Sequence, residues 1–218
     1  MRFATVATGA VNGFLAAKLA AAGAEVACLA RGAHLAAIRE RGLTLETEAG
    51  ELVARPALAT DDPSEIGPVD VVLFAVKAQD LDAVAPLCRP LLGEGTAVIP
   101  LLNGVEATPR LAAHLGPEAV LAGLCQISVF VTGPGRIRQT GSFARFRFAE
   151  ADGRAGARAE AAAEAMRAAG VEAGVPEDVT RELWLKFMFL ASFAGITAAA
   201  RCDAAAIAAR PELRTLLD

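Results

Sequence analysis

The sequence predicts a doubly wound α/β fold with an antiparallel extension, followed by an all-helical C-terminal region. Short apolar runs alternate with helical patterns along the first half of the chain, and these runs are rich in β-branched residues, as buried parallel strands are. Beyond Pro176 the spacing of apolar residues is helical. We therefore expect a sheet domain over residues 1–175 and the start of a helical domain over residues 176–218.

The opening segment has the order strand, tight turn, helix, strand. An apolar run from Phe3 to Val6 precedes the small-residue turn 7–13, an alanine-rich helix follows, and a second apolar run covers residues 26–30. This unit can place a pyrophosphate against a helix N-terminus. The sequence therefore predicts a dinucleotide-binding domain.

Arg31 follows the second strand, where NAD-binding domains place an acidic residue that accepts hydrogen bonds from the ribose 2′-hydroxyl. A guanidinium instead suits the additional 2′-phosphate of NADP through charge-assisted, bidentate hydrogen bonds. NADP (as NADPH) is therefore the expected cofactor.

The next segments predict a helix and a hairpin. Residues 32–41 have helical spacing, and Gly42 is suited to end that helix. Residues 43–46 and 51–54 alternate apolar and polar side chains around Ala49-Gly50, which is typical of a β-hairpin.

Two further buried strands are predicted at residues 69–76 and 96–102. Lys77 follows the first, Asn103-Gly104 follows the second, and a helix is expected from about Glu106. Ligands of open α/β sheets bind outside the carboxyl ends of the strands, which makes Lys77 and Asn103 candidate ligand contacts.

The remaining residues predict the antiparallel extension and the C-terminal helices. Short strands are expected at residues 120–131, 135–139 and 143–148, separated by Gly133-Pro134-Gly135 and Gly141-Ser142. An alanine-rich helix over 154–169, a strand over 171–175, a helix from Glu177 and a last helix at Arg210-Pro211-Glu212 complete the chain.

Composition excludes several functions. The 218 residues carry a net charge of −4, without the basic field that nucleic-acid binding needs. Cys28, Cys88, Cys125 and Cys202 are far apart, without zinc-ligand spacing, so we expect small buried side chains, neither a disulfide framework nor a metal site. His34 and His114 are expected at surface or helix-cap positions.

The apolar stretch 183–200 contains Lys186 and is bounded by Arg181 and Arg201, so we expect no membrane span there. The N-terminus lacks the separate cleavable region of a secretion signal. A cytoplasmic location is therefore expected. Trp184 is expected to pack at the domain junction, with the Phe and Met residues around Lys186 in the core.

Taken together, these segments resemble the ketopantoate reductase (2-dehydropantoate 2-reductase) family over essentially the whole chain. The motifs that carry the resemblance are the glycine turn, Ala30-Arg31-Gly32-Ala33-His34-Leu35, Val76-Lys77-Ala78, Leu102-Asn103-Gly104-Val105, Gly133-Pro134-Gly135 and Glu182-Leu183-Trp184-Leu185-Lys186-Phe187.

The resemblance implies an NADP-binding Rossmann-type domain followed by a helical substrate or dimerisation domain, with a homodimer formed through the helices. It implies reduction of a 2-keto acid by NADPH, with Lys186 as the general acid, as in pantothenate biosynthesis. The implied cofactor contacts are Gly9, Ala10, Val11, Asn12, Gly13, Arg31, Lys77, Asn103 and Val129. The implied substrate contacts are Asn103, Lys186, Leu190 and Ala194.

The sequence departs from the family in three places. Ala7 and Asn12 replace the first and third glycines of G-x-G-x-x-G, which is expected to crowd the phosphate pocket and weaken cofactor binding unless Asn12 hydrogen-bonds locally. Apolar residues replace the substrate-facing asparagines, which indicates a different, less polar 2-keto acid or ketone. These apolar residues are Leu190, Ala194 and Ala204.

The third departure is length, since the family continues beyond Asp218. A last helix with Leu213, Leu216 and Leu217 on one face would be left uncovered, which indicates a truncated chain or a partner that supplies the missing surface.

Three functional hypotheses follow. The first is an NADPH-dependent 2-keto-acid reductase. The second is a catalytically weakened or inactive NADP-binding or dimerisation module derived from this family. The third is an NAD-linked hydroxyacid dehydrogenase, for which replacing Arg31 by Asp would leave turnover with NADH unchanged or improve it.

Overall fold

A computed structural model describes residues 1–152, 154 and 156–215. It divides into two compact units, residues 1–179 and 180–218. Elements are labelled in chain order. The strands are β1 (Arg2–Val6), β2 (Glu25–Leu29), β3 (Leu43–Thr47), β4 (Gly50–Ala54), β5 (Leu58–Thr60), β6 (Val71–Phe74), β7 (Ala97–Pro100), β8 (Leu121–Gly133), β9 (Arg136–Glu150) and β10 (Glu172–Gly174).

The helices lie between and after these strands. They are α1 (Ala10–Ala21), α2 (Gly32–Arg41), α3 (Leu81–Val84), α4 (Ala107–Leu115), α5 (Ala157–Ala168), α6 (Val179–Ala200), α7 (Ala204–Ala208) and α8 (Pro211–Arg214). Short 3₁₀ segments cover Pro63–Glu65, Ala78–Asp80 and Ala85–Leu91.

The first sheet is fully parallel, with strand order β5-β2-β1-β6-β7. Both of its faces are buried. Along β6, Val71 and Leu73 belong to the core shared with α1, whereas Val72 and Phe74 belong to the core under α4. This two-sided burial is why the strand reads as a continuous apolar run, and it confirms the predicted doubly wound fold.

The antiparallel extension forms a second, mixed sheet of order β10-β9-β3-β4, with β8 paired to β9. An isolated bridge between Val98 and Val120 links the two sheets. The predicted break at Gly141-Ser142 is wrong, because β9 runs unbroken through it and a register shift between Ile127 and Val129 on β8 absorbs the irregularity. Helix α1 packs between the sheets, with Phe14 stacked on Phe146 at 6.2 Å between ring centroids.

The predicted helical spans are partly corrected. Helix α2 and its end at Gly42, which has φ +81°, are confirmed. Helix α5 begins at Ala157, three residues after the predicted start, and Ala155 lies outside the described residues. The C-terminal region is not one continuous helix, because it breaks at Arg201, which adopts the left-handed φ of 49°.

The predicted apolar face of the last helix lies partly outside the described residues. Leu213 is half-buried on α8, whereas Leu216 and Leu217 are not among the described residues. Three of the four cysteines are buried, and Cys202 is half-buried.

Arg158 on α5 joins that helix to the end of β9 and to two loops of the first unit. Its guanidinium donates to both carboxylate oxygens of Glu150 at 3.2 and 2.5 Å, to the Thr96 carbonyl at 3.1 Å and to the Glu118 carbonyl at 2.7 Å. The ion pair is largely screened from water, with the two side chains 27% and 23% exposed. Such charge-assisted bonds contribute more than exposed pairs do.

His34 joins the first turn of α2 to the β8–β9 turn. The Gly135 N–H donates to Nδ1 of His34 at 3.1 Å, so the proton of the neutral ring is on Nε2. Burial holds the pKa of His34 below its usual range, and a contact with the Thr8 backbone opposes this to a smaller extent. His34 is half-buried in the first turn of α2, where its ring also accepts a hydrogen bond from a residue outside that helix.

We expect Arg158→Ala to lower the free energy of unfolding by about 2–3 kcal/mol, because Glu150 and two carbonyls lose a charged donor. Urea unfolding followed by circular dichroism measures this loss. The control Arg41→Ala removes only an exposed pair with Glu40 and should change stability by less than about 0.5 kcal/mol. Equal effects of the two substitutions would contradict the assigned role.

We also expect stability to fall as the pH drops below about 6.5, the ordinary pKa of histidine. The unfolded chain takes up a proton on His34 before the folded chain does, because the pKa is lowered only in the folded state. The pKa of the Glu46 carboxylate is lowered by hydrogen bonds from Arg136 and Arg138. Protonation of this group lowers the stability of the fold only near pH 4 and below, outside the range in which His34 titrates in the unfolded chain.

Urea midpoints between pH 5 and pH 8 check this expectation. His34→Asn keeps an acceptor near the Gly135 N–H but does not titrate, so its midpoint should vary less over this range. An unchanged slope in the variant would show that another group is responsible.

Candidate functional site

The turn between β1 and α1 presents backbone donors at a helix N-terminus. Gly9 is the N-cap of α1, no side chain caps the helix, and its first turn contains no acidic residue. The first N–H groups of a helix lack intrahelical partners and lie at the positive end of its dipole. A Cβ added to Gly9 would meet only the Ala7 carbonyl oxygen, at 3.9 Å, so the space in front of the helix is open. The geometry suits an anion.

Thr8 fixes this turn to the neighbouring strands. Its N–H donates to the Leu29 carbonyl at 3.0 Å, and its hydroxyl lies 3.1 Å from the same oxygen and 2.8 Å from Oγ1 of Thr5. Both threonines are buried. Cys28 lies beside them, and burial raises the pKa of its thiol to about 11, so it stays a neutral thiol at physiological pH.

Asn12 turns away from the space in front of the helix. Its side chain is fully buried, and Nδ2 donates to the carbonyls of Val6 at 2.7 Å and Leu73 at 3.0 Å. Asn12 can therefore contact an anion at the helix N-terminus through its backbone N–H but not through its side chain. The side chain hydrogen-bonds to the ends of β1 and β6 and does not crowd the predicted phosphate pocket.

Gly13 is a packing position. Its N–H already donates to the Gly9 carbonyl at 2.7 Å, within the first turn of α1. A Cβ at Gly13 would lie 2.8 Å from side-chain carbons of Ile137 on β9, closer than real Cβ contacts allow. Gly13 therefore lets α1 approach the second sheet. Neither its N–H nor the Cα hydrogen that a Cβ would replace faces the open N-terminal end of the helix.

Arg31 lies on one side of the turn. It follows β2, which pairs with β1, and it is the exposed N-cap of α2. His34 is one turn further along α2, and its ring contacts the Thr8 backbone. Arg31 thus stands beside the glycine turn at the carboxyl edge of the first sheet.

Lys77 and Asn103 lie on the other side of the turn. Lys77 follows β6, which pairs with β1, and Asn103 follows β7, which pairs with β6; both residues are exposed. Neighbouring strands are about 4.8 Å apart, so the row from Arg31 through the turn and Lys77 to Asn103 extends roughly 14 Å. Parallel pairing therefore places these four predicted positions along one edge, with dimensions that suit an extended dinucleotide.

Val129 supplies an apolar surface. It lies on β8, is half-buried, and packs against the core between the two sheets. Val11 and Ala75 are partly buried against the same core. Sequence reasoning gave no site role to Thr8 or His34, although a threonine two residues after a buried strand and a histidine one turn after Arg31 were visible signals.

The second unit contains the remaining predicted residues. Lys186, Leu190 and Ala194 lie at four-residue intervals on α6, and therefore near one face of it. Lys186 and Leu190 are half-buried and Ala194 is exposed. Ala204 begins the separate helix α7, so it does not continue the row on α6.

The apolar residues around Lys186 are not core residues within the part of the chain described. Trp184, Phe187, Met188 and Phe189 are 39–63% exposed, which corrects the predicted burial. Exposed apolar side chains in such a group are typical of a surface that contacts something else.

The composition argument against a membrane span at residues 183–200 is wrong in one respect, whereas the expected absence of a span stays a prediction. Helix α6 has 22 residues and is long and apolar enough, by length and composition, to cross a bilayer. The single charge of Lys186 within residues 183–200 does not make the helix too polar to cross a bilayer. Core helices of water-soluble proteins meet the same criterion. Among the described residues, no group of three or more His, Cys, Asp or Glu side chains is arranged to hold a metal ion.

The family model described as ketopantoate reductase PanE/ApbA matches residues 3–153. The chain is 36% identical to a 2-dehydropantoate 2-reductase of Mesorhizobium japonicum, over 99% of this chain and 72% of the relative. It is 32% identical to the uncharacterized oxidoreductase YkpB of Bacillus subtilis, over 90% of this chain and 64% of that protein.

A crystal structure of 2-dehydropantoate 2-reductase from Porphyromonas gingivalis matches with a TM-score of 0.91 and 33% identity, over 99% of this chain and 78% of that one. Both the family predicted from the motifs and the fold predicted from the strand pattern are confirmed. By its sequence match, its relatives and its fold, the chain belongs to the ketopantoate reductase family.

Proposed function

We propose that the protein reduces a 2-keto acid to the 2-hydroxy acid with NADPH. The observation that carries the proposal is the row of groups along the carboxyl edge of the first sheet, with Arg31 and Lys77 on the two strands that flank the glycine turn. Family membership supports the reaction class.

The first unit has the features that a dinucleotide requires. The open helix N-terminus at Gly9 would hold the pyrophosphate through the N–H groups of Ala10, Val11 and Asn12. Lys77 and Asn103 would contact the ribose and nicotinamide end, with Val129 as an apolar contact. Gly13 would contribute by letting α1 pack closely against Ile137.

Arg31 supports NADP over NAD. It is exposed at the N-cap of α2, and no acidic residue lies in the first turn of that helix to pair with it or to bind a ribose 2′-hydroxyl. A guanidinium here would bind the 2′-phosphate through charge-assisted bonds.

Lys186 is the proposed proton donor. When bound, NADPH supplies the hydride that reduces the ketone carbon. The Lys186 ammonium would lie at the substrate oxygen, stabilise the negative charge that develops there, and transfer a proton to it. Lys186 is less exposed than the apolar residues on either side of it, so part of its side chain is already shielded from water.

The proposed substrate is less polar than ketopantoate. Asn103 would provide a polar contact at the end of β7, whereas Leu190 and Ala194, one and two turns beyond Lys186, offer no hydrogen bond. A site without polar partners does not select a substrate hydroxyl.

We further propose a cytoplasmic location and a homodimer formed through the helical region. The support is the exposed apolar group around Trp184 and Phe189 on α6, which suits contact with other protein surface. Sedimentation of the chain with the membrane fraction would contradict this part of the proposal.

We expect Arg31→Ala to weaken NADPH binding about 10- to 100-fold, because one charge-assisted contact is lost, and to change NADH binding less than about 3-fold. Titration of the cofactor's fluorescence measures both affinities. Arg39→Ala, which removes an exposed arginine near the other end of α2, is the matched control and should leave both affinities unchanged. An equal loss for both cofactors, or a wild-type preference for NADH, would contradict the NADP assignment.

We expect Lys186→Ala to lower kcat by about 10²- to 10⁴-fold while NADPH affinity stays unchanged, because general acid catalysis is lost and the cofactor contacts remain. NADPH oxidation is followed with ketopantoate, oxaloacetate and 2-keto acids that have apolar side chains. Lys18→Ala on α1 is the control and should retain full kcat.

An unaltered kcat in Lys186→Ala would remove the lysine from the reaction. Wild-type protein that binds NADPH and oxidises it with none of these acids would favour the non-catalytic module instead.

A further inference from the structure

Ala7 has a backbone conformation that L-amino acids rarely adopt. Its φ is +58°, and Ala7 and Arg201 are the non-glycine residues with positive φ among those described. The left-handed region costs an alanine about 1 kcal/mol or more, whereas glycine enters it freely. Something in the surrounding structure must therefore hold Ala7 in place.

The side chain of Asn12 contacts both peptide groups that flank Ala7. Its Nδ2 lies 2.7 Å from the Val6 carbonyl oxygen, in the peptide before Ala7, and 3.4 Å from the Ala7 carbonyl oxygen, in the peptide after it. The orientations of these two peptide planes define φ and ψ of Ala7. The Ala7 carbonyl also accepts from the Gly9 N–H at 2.7 Å.

The third contact of Asn12 fixes its amide to the sheet. Nδ2 donates to the Leu73 carbonyl on β6 at 3.0 Å, so the amide bridges the ends of the adjacent strands β1 and β6. The reverse amide orientation would place Oδ1 against carbonyl oxygens, which are acceptors only. Oδ1 is buried and has no partner among the described residues, a cost that the Nδ2 contacts offset.

We infer that Asn12 is a positioning residue that holds the strained Ala7 and thereby sets the shape of the turn at the helix N-terminus. This inference rests on the proposed function, in which that turn binds the pyrophosphate. By this inference, Ala7 and Asn12, which replace the first and third glycines of the fingerprint, depend on each other. Asn12 is needed because position 7 is alanine.

A double-mutant cycle tests the coupling. In the natural Ala7 background, Asn12→Gly should weaken NADPH binding at least 10-fold, because the turn loses its support. In an Ala7→Gly background the same substitution should weaken binding less than 3-fold, because glycine adopts the left-handed conformation without support. Lys18→Gly, which introduces a glycine elsewhere in α1, should have the same small effect in both backgrounds.

A second ligand separates positioning from a general loss of structure. Adenosine 2′-monophosphate carries the 2′-phosphate but no pyrophosphate, so its affinity should stay within 3-fold of wild type in Asn12→Gly. A parallel loss of NADPH and adenosine 2′-monophosphate binding, or equal effects of Asn12→Gly in both backgrounds, would overturn the inference. Asn12→Asp keeps the size and removes the donors, and it should weaken NADPH binding as Asn12→Gly does; if it does not fold, the glycine cycle alone decides.

Failure of the proposed function is distinguishable from failure of this inference. If the wild type binds neither NADPH nor NADH, the proposed function is wrong, and the urea midpoints of the same four proteins still test the coupling. Asn12→Gly should then lower the midpoint more in the natural Ala7 background than in the Ala7→Gly background, and equal shifts would show that Asn12 does not hold Ala7.

Discussion

Parallel pairing of β1 with β2 on one side and β6 on the other determines where the glycine turn, Arg31 and Lys77 lie. Because the three strands end at the same edge, the glycine turn stands between Arg31 and Lys77. The requirement for that pairing is burial of both sheet faces, which α1 and the second sheet provide on one side and α4 provides on the other. The chemistry at the edge thus depends on apolar packing that contains none of the reactive groups.

Local patterns predicted those parts of the molecule that are determined locally. The bounds of α2 were predictable because Gly42 can adopt φ +81°, and the positions of Arg31, Lys77 and Asn103 at strand ends follow from where apolar runs stop. The length of β9 was not predictable, since Gly141 suggests a turn until the pairing of β9 with β8 on both sides of it is known. The direction of the Asn12 side chain likewise depends on carbonyls 6 and 61 residues away.

Composition alone misjudged α6 in two ways. Its apolar residues suggested a core, yet several of them are exposed in the described chain, and its lysine suggested that a membrane span was excluded, yet length and composition permit one. Both errors have one cause. A hydrophobic sequence indicates that burial of the helix is favourable, but it does not indicate whether the helix packs against its own chain, another protein or a bilayer. The chain spans 64% and 72% of the length of two of its relatives.

The glycine fingerprint combines three physical requirements, and this chain distributes them differently. The left-handed backbone at position 7 belongs to an alanine contacted by Asn12, the open approach to the helix N-terminus belongs to Gly9, and the close packing of the helix belongs to Gly13 against Ile137. A pattern search that requires glycine at all three positions finds the residue that usually meets these three requirements. It does not test whether the backbone conformation, the open helix N-terminus and the close packing are present. The relevant evidence for a phosphate-binding turn is therefore geometric: unpartnered N–H groups at a helix start, free space in front of them, and a backbone held rigidly enough to keep them aligned.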